Sequence, residues 1–122
     1  MIAQRVTECE LLVMKGIWSK NYDMALPEIM NTVNEAYGKQ WAPQTVSTFL
    51  KRLVNRGYLS MTRKGRSFYY HELISEDEYA SAEIVDYCKF WCGNDASGML
   101  ENLIKVRELT PDEKKKIRKI VK

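Results

Sequence analysis

Acidic residues are missing from one stretch of this 122-residue chain: between Lys39 and Tyr70 there is no Asp or Glu. We call residues 39–70 the acid-free stretch. Its seven basic residues are Lys39, Lys51, Arg52, Arg56, Arg63, Lys64 and Arg66. Cations concentrated on ordered elements, without carboxylates among them, are the electrostatic pattern of a protein that binds nucleic acid. The absence of acid therefore favours an anionic partner.

Cysteine is scarce, and long apolar runs are absent. Cys9, Cys88 and Cys92 are an odd number in a chain without secretory features, which predicts reduced thiols and not a disulfide framework. No apolar run approaches the roughly 18 residues of a membrane span, so we expect no membrane insertion. Residues 1–5 lack the apolar core and cleavage site of a signal peptide. The expected location is the cytoplasm.

Motifs for catalysis are missing too. The chain has no Gly-rich nucleotide loop, H-E-x-x-H helix, paired C-x-x-C or nucleophile elbow. His71 is the only histidine, and we interpret it as a surface residue at a strand end. Cys88 and Cys92 would supply half of a thiolate site across a dimer, but buried cysteines on an apolar helix stripe are commoner. We therefore expect no enzyme activity, no cofactor and no metal site.

Helical patterns fill the first part of the chain. Thr7-Glu8-Cys9-Glu10 matches the S/T-x-x-E capping box that starts a helix, and apolar residues then recur at three- and four-residue steps to about Trp18. Two further helices are predicted by the same periodicity, each with a Pro near its first turn. The predicted helices cover about residues 7–18, 26–38 and 43–56.

A hairpin should follow the third helix. The segments Leu59–Arg63 and Arg66–Tyr70 alternate like strands, joined at Lys64-Gly65, where Gly can take a positive φ. Three helices followed by a hairpin are the order of a winged helix-turn-helix, whose last helix enters the DNA major groove while the hairpin lies along the backbone. The predicted fold is mainly α with a small β-hairpin.

Three more helices are predicted in the second part of the chain. Ser75–Glu78 is another capping box, a short helix should surround Met99–Ile104, and Thr110–Glu113 combines an N-cap, a first-position Pro and a third-position Glu. These helices cannot enclose much core alone, and their apolar faces are most simply covered by a second copy of the chain, since two-fold dimers are the commonest assembly. We therefore divide the chain into a winged-helix DNA-binding domain, residues 1–73, and a helical dimerisation region, residues 74–122.

The run Trp41–Leu59 resembles the W-S-P-x-T-V-x-T-x-L-x-R-L-x-x-K-G-x-L signature of the penicillinase repressor (BlaI/MecI) family, to which CopY-type copper repressors are related. Glu10–Trp18 is similar to its E-x-x-x-M-x-x-x-W helix, Lys64–Tyr70 to its K-G-R-x-x-x-Y wing, and Ser75–Tyr79 to its linker. The resemblance implies a cytoplasmic homodimeric repressor of palindromic operators in an antibiotic- or stress-responsive circuit. In many members a membrane-spanning sensor metallopeptidase leads to cleavage in the C-terminal region.

Three departures limit what carries over. Ala42 stands where many relatives have Ser before the Pro, which removes an N-cap oxygen worth about 1 kcal/mol. Penicillinase-type members are cut between Asn and Phe; here Asn102-Leu103 occupies that place, and the missing Phe argues against regulated cleavage. The C-x-C pairs of copper-responsive relatives are absent, so direct copper sensing is disfavoured. A thiol- or metal-responsive repressor using Cys88 and Cys92 is kept as an alternative.

The polar face of the third helix is the expected reader of DNA, because its apolar residues face the core. Gln44 can pair with adenine, and Thr45 or Thr48 can offer a methyl group to thymine. The candidate groove-facing residues are Gln44, Thr45, Ser47, Thr48, Lys51 and Arg52, and the candidate phosphate-binding residues of the hairpin are Arg63, Lys64 and Arg66. The alternative from another class is a winged-helix protein-interaction module whose third helix docks on an acidic protein surface.

Overall fold

Six helices and three strands make up residues 6–122, the part of the chain that this computed structural model describes. The elements are α1 (Glu8–Trp18), β1 (Met24–Ala25), α2 (Leu26–Tyr37), α3 (Pro43–Asn55), β2 (Leu59–Lys64), β3 (Ser67–Glu72), α4 (Glu76–Cys92), α5 (Ala96–Val106) and α6 (Pro111–Val121). The fold class predicted from the sequence, mainly α with a small β-hairpin, is confirmed. Residues 1–5, on which the expectation about export rests, lie outside the described residues.

Capping boxes explain where three of the six described helices begin. Capping boxes are formed at α1, α4 and α6, where a hydroxyl and a carboxylate satisfy free backbone N–H groups three residues apart. The pairs are Thr7 with Glu10, Ser75 with Glu78, and Thr110 with Glu113. By contrast, α2 and α3 start after Ala25 and Ala42, which provide no side-chain cap, and each relies on a Pro in its first turn.

Gly16 lets α1 and α2 approach closely. A Cβ built at this position would lie 2.7 Å from Cγ2 of Val33, a fully buried side chain of α2. In the sequence Gly16 merely weakens the helix prediction, because glycine is a poor helix former. In the structure the packing of the core requires that residue 16 has no side chain. The core consists of fully or largely buried residues, which are Val13, Met14, Ile17, Met24, Ile29, Val33, Val46, Leu50, Leu53, Tyr58, Leu59, Tyr70 and Tyr79.

The sheet has the strand order β1-β3-β2, and both pairings are antiparallel. Strands β2 and β3 pair from Leu59 opposite Glu72 to Lys64 opposite Ser67. The two-residue turn is therefore Gly65-Arg66, with Gly65 at φ +66°. The sequence predicted the turn one position earlier, at Lys64-Gly65. We call residues 59–72 the wing. Strand β1, which the sequence analysis did not predict, adds two residues to the outer edge of β3.

The described residues divide into two compact units, residues 6–81 and residues 82–122. Tyr79, in α4, belongs to the first unit: its ring lies 5.9 Å from the ring of Trp18 and 5.9 Å from that of Tyr58. The first compact unit thus extends a few residues beyond the border between residues 73 and 74 that we drew from the sequence. That border stays a prediction about independent folding.

Candidate nucleic-acid interface

The two faces of α3 differ in burial as its periodicity predicts. Val46, Leu50 and Leu53 are fully buried and hold the helix against α1 and α2. The opposite face carries the candidates for DNA contact: Gln44, Thr48, Lys51 and Arg52 are exposed, and Thr45 and Ser47 are half-buried beside them. Packing therefore leaves a polar, cationic face of α3 open to a ligand.

Thr48 has its hydroxyl engaged within the helix. Its Oγ1 donates to the backbone carbonyl of Gln44 at 3.0 Å, which is the usual bond of a helical Thr to the residue four before it. This bond fixes the side-chain rotamer, so that the hydroxyl proton is no longer free for a ligand. Thr48 thus offers a fixed methyl group, the feature that packs against thymine C5-methyl, and the lone pairs of its oxygen.

Asn34 holds the turn that precedes α3. Its Nδ2 donates to the carbonyl of Trp41 at 3.1 Å, while its Oδ1 accepts from the Trp41 N–H at 3.0 Å. The Trp41 ring packs on Phe49 at 5.1 Å, and the Lys39 ammonium lies 6.0 Å from the Trp41 ring centre. The start of α3 is therefore fixed by a side chain of α2. Sequence reasoning missed Asn34, because nothing in its neighbourhood marks a pairing with a turn seven residues away.

Glu10 ties α1 to the C-terminal end of α3. Its side chain is fully buried, with Oε1 2.6 Å from an Arg56 guanidinium nitrogen and Oε2 3.7 Å from one of Arg52. Burial alone raises the pKa of this carboxyl, but the backbone N–H of Thr7 and the charge of Arg56 outweigh burial, so that the pKa lies below its ordinary value. Two cations of the acid-free stretch thus face a carboxylate from outside it.

Two of the three wing cations lie close to aromatic rings. The Arg63 guanidinium carbon lies 5.8 Å from the ring centre of Phe68, its cross-strand partner, and its Nε donates to the carbonyl of Gly65 at 3.0 Å. The Lys64 ammonium lies 5.5 Å from the ring centre of Tyr69. Arg66, in the turn, is exposed. The three cations predicted to bind phosphate therefore lie together at the tip, two of them oriented by contacts worth about 0.5–1 kcal/mol each at exposed sites.

Two grooves have residues of both α3 and the wing in their walls, and the buried Tyr70 lines both. One, of about 230 Å³, is lined by Lys51, Val54, Asn55, Met61 and Tyr70. The other, of about 260 Å³, is lined by Ala25, Leu26, Pro27, Ser47, Ser67, Phe68 and Tyr70. The wing and the polar face of α3 are therefore neighbours, and Lys51 and Ser47 lie where the two surfaces meet. Tyr70 is only 7% exposed, and burial raises the pKa of its hydroxyl.

The remaining chemistry-bearing residues do not assemble into a site. Within residues 6–122 no group of three or more His, Cys, Asp or Glu side chains could hold a metal ion. His71 is a surface residue of β3, with its Nδ1 2.8 Å from an Asp23 oxygen. Cys88 is buried, and Cys92 is half-buried and accepts from Asn102 Nδ2 at 3.5 Å. No helix in the described part of the chain is long and apolar enough to cross a membrane.

Unit 82–122 exposes many large apolar side chains. Phe90 is 76% exposed and Trp91 68%, and the others are Ile84, Val85, Tyr87, Leu103, Ile104, Val106, Ile120 and Val121. Asn102 and Leu103, the candidate cleavage pair, lie in the interior of α5 with both side chains exposed. Since neither α5 nor α6 contains a buried residue, these helices carry large apolar surfaces that residues 6–122 leave uncovered.

Comparison with known families gives a match over nearly the whole chain. The sequence profile of the family described as penicillinase repressor matches residues 6–122. The penicillinase repressor of Bacillus licheniformis is 27% identical over 109 residues, covering 89% of this chain and 83% of the relative. The methicillin resistance regulatory protein MecI of Staphylococcus aureus strain N315 is 24% identical over 117 residues, covering 95% and 92%.

Two solved structures are similar to part of this chain. The Bacillus licheniformis BlaI monomeric form, in complex with the blaP half-operator, superposes with a TM-score of 0.52 at 31% identity and covers 64% of this chain and 92% of that one. The DNA binding domain of the repressor BlaI gives a TM-score of 0.53 at 32% identity, covering 62% and 88%. The winged-helix arrangement of α1 to β3 is therefore that of a known DNA-binding domain.

Proposed function

This chain belongs to the penicillinase repressor family, and from that premise we propose that it is a homodimeric transcriptional repressor that binds a palindromic DNA operator. The observation that carries the proposal is the cationic surface formed by the polar face of α3 and the tip of the wing. The residues that form this surface all lie in the acid-free stretch, which contains no Asp or Glu. The similarity to the DNA-binding domain of BlaI supports the same function.

The two parts of this surface have different tasks in the proposal. Gln44, Thr45 and Thr48 contact base edges in the major groove from the first turns of α3, with Ser47, Lys51 and Arg52 beside them. The wing residues Arg63, Lys64 and Arg66 bind phosphates, because long cations at a turn can follow the backbone but carry no sequence information. Changing Gln44 or Thr48 should therefore alter which sequence is preferred.

We assign dimerisation to the C-terminal helical region, residues 74–122. The exposed aromatic and aliphatic side chains of α4, α5 and α6 support this part of the proposal, because a symmetric second copy would cover such surfaces on both chains at once. Phe90→Glu should accordingly shift the protein toward monomer in sedimentation at micromolar concentration, whereas Lys89→Glu, which changes the neighbouring exposed residue, should not. Equal behaviour of the two variants would contradict this assignment.

A membrane-spanning sensor metallopeptidase system would release the protein from DNA by cleavage in the C-terminal region. Its target would be the Asn102-Leu103 bond, which lies inside α5. Proteases bind extended chains, so that α5 would have to unwind locally before this bond could be cut. Exposure of the chain to such a protease, followed by mass spectrometry of the fragments, shows whether this bond is cut.

The decisive experiment is the salt dependence of DNA binding. Duplexes enriched by the protein from a randomised pool are titrated between 50 and 200 mM salt. A dimer that neutralises about six phosphates gives a slope of about −5 in log K against log salt, and a scrambled duplex binds more weakly. A flat response on every duplex would reject the DNA-binding proposal and favour a protein-interaction module.

A further inference from the structure

Glu10 is buried more deeply than helix capping requires. Within residues 6–122 it is the only charged side chain that is buried, at 0% exposure. The carboxylates of the other two capping boxes, Glu78 and Glu113, make the same backbone bonds at the surface or only partly buried. Removing an ionised carboxylate from water is costly unless charged partners compensate for the lost hydration. The burial of Glu10 thus calls for a role beyond the cap.

Each oxygen of the Glu10 carboxylate faces one arginine, Arg52 in the last turn of α3 or Arg56, its C-cap residue. Oε1 accepts from the Thr7 N–H at 2.9 Å and from Arg56 at 2.6 Å. Oε2 is buried, has no hydrogen-bond partner and lies 3.7 Å from the Arg52 guanidinium. Because Arg52 and Arg56 are four residues apart, they lie on one side of α3, where a single carboxylate can attract both.

This arrangement restrains the rotation of α3 about its own axis. Arg52 follows Lys51 directly and is 53% exposed, so it lies at the margin of the face that we assign to the groove. A rotation of α3 that moved Arg56 away from Glu10 would leave the Glu10 carboxylate buried without its closest cation. The cost of that state holds the helix, and with it Thr48 and Gln44, in one orientation.

We propose that Glu10 is a positioning residue for sequence discrimination: its buried carboxylate binds Arg56, orients Arg52 and thereby fixes which side chains of α3 face the base pairs. The inference rests on the proposed function, since it concerns how α3 recognises DNA. Glu10 itself touches no DNA. It acts on the preference for one sequence over another, not on the general attraction between cations and phosphate.

The test is Glu10→Gln in the full chain, with Glu8→Gln as the matched control. Gln keeps the shape and one oxygen for the Thr7 N–H but removes the charge that holds the arginines. The control makes the same change of charge on an exposed residue of the same helix. Affinities are measured for the duplex enriched from a randomised pool and for its scrambled version. The temperature is one at which circular dichroism shows every variant to be folded.

The ratio of the two affinities should fall about tenfold in Glu10→Gln and stay within about twofold in Glu8→Gln, in line with ordinary coupling energies between contacting residues. Binding to the scrambled duplex should not weaken, because Arg52 and Arg56 are freed for phosphates. A loss of stability lowers both affinities by the same factor, so that the ratio does not respond to a purely structural role.

Arg56→Lys gives a second measurement should Glu10→Gln fail to fold. We expect this variant to fold, because Arg56 is partly exposed and Lys keeps its positive charge. It should lower the same ratio. An unchanged ratio in whichever of these variants folds would overturn the proposal. If the unmodified protein binds no duplex with salt-dependent affinity, the proposed function fails instead, and that outcome is seen before any variant is compared.

Discussion

Replacing Tyr79 by alanine should lower the melting temperature of unit 6–81 by about 12–24 °C. Tyr79 is only 4% exposed, although it lies in the first turns of α4, beyond the sheet. Its ring contacts those of Trp18 and Tyr58 with both centroid distances at 5.9 Å. The substitution therefore removes a buried aromatic ring and two aromatic contacts at once.

The magnitude follows from that burial. Large-to-alanine substitutions of buried aromatic residues cost about 3–5 kcal/mol, and we take about 3 kcal/mol because the site lies at the edge of the core. In a domain of 60–100 residues, each kcal/mol shifts the melting temperature by about 4–8 °C. The same contacts predict that a fragment ending at Ser81 is more stable than one ending at Leu73, which also loses the Ile74 carbonyl that accepts from Trp18 Nε1 at 3.0 Å.

Thermal unfolding of the full chain, followed by near-ultraviolet circular dichroism, measures the effect of Tyr79→Ala. The matched control is Tyr22→Ala, since Tyr22 is 51% exposed and is also in the first unit. We expect the control to melt within a few degrees of the unmodified protein. If both variants melted alike, or if the fragments ending at Leu73 and Ser81 were equally stable, α4 would not contribute to the first unit.

Three further predictions follow from single contacts. Gly16→Ala should destabilise the protein by about 1–3 kcal/mol in urea unfolding, despite the better helix propensity of Ala, because the new methyl group meets a buried valine of α2; a more stable variant would contradict the packing. Lys64→Ala combined with Arg66→Ala should weaken binding to enriched and scrambled duplexes by the same factor and flatten the salt slope, and a selective loss of the enriched duplex would mean that the wing contacts bases. The Arg107 guanidinium, together with the backbone N–H of Thr110, lowers the pKa of Glu113 to about 2, so the stability from these contacts is complete above the ordinary carboxyl pKa and is lost as pH falls through about 2. Arg107→Gln should raise the Glu113 midpoint toward 4.5 in an NMR titration, and an unchanged midpoint would show that the pair does not form.

The elements that were predicted correctly depend on neighbouring residues. The capping boxes that begin with Thr7, Ser75 and Thr110 start helices through bonds across three residues, so their outcome can be read from a short segment. The polar face of α3 is equally local, because the spacing of Val46, Leu50 and Leu53 fixes which side is buried. These patterns are strong because packing and local preference agree.

Features that join distant segments were missed or misplaced. Strand β1 consists of Met24 and Ala25 alone, too short for any alternation, and it exists only because Tyr70 and Tyr69 lie opposite. The wing turn was placed one residue early, because both Lys64-Gly65 and Gly65-Arg66 satisfy the preference for glycine and only the strand register decides between them. The part of α4 that packs on Trp18 gives no local signal either.

The buried carboxylate of Glu10 changes how the charge of the acid-free stretch should be counted. The sequence does not show which of the seven cations are paired with a carboxylate, so all seven count toward the attraction to phosphate. In the fold Arg56 forms an ion pair with Glu10, which lies 46 positions away in the chain, and Arg52 lies 3.7 Å from the same carboxylate. A salt slope therefore measures the cations that remain free, whereas the paired ones act on the orientation of α3. Affinity and discrimination thus draw on different members of the same basic cluster.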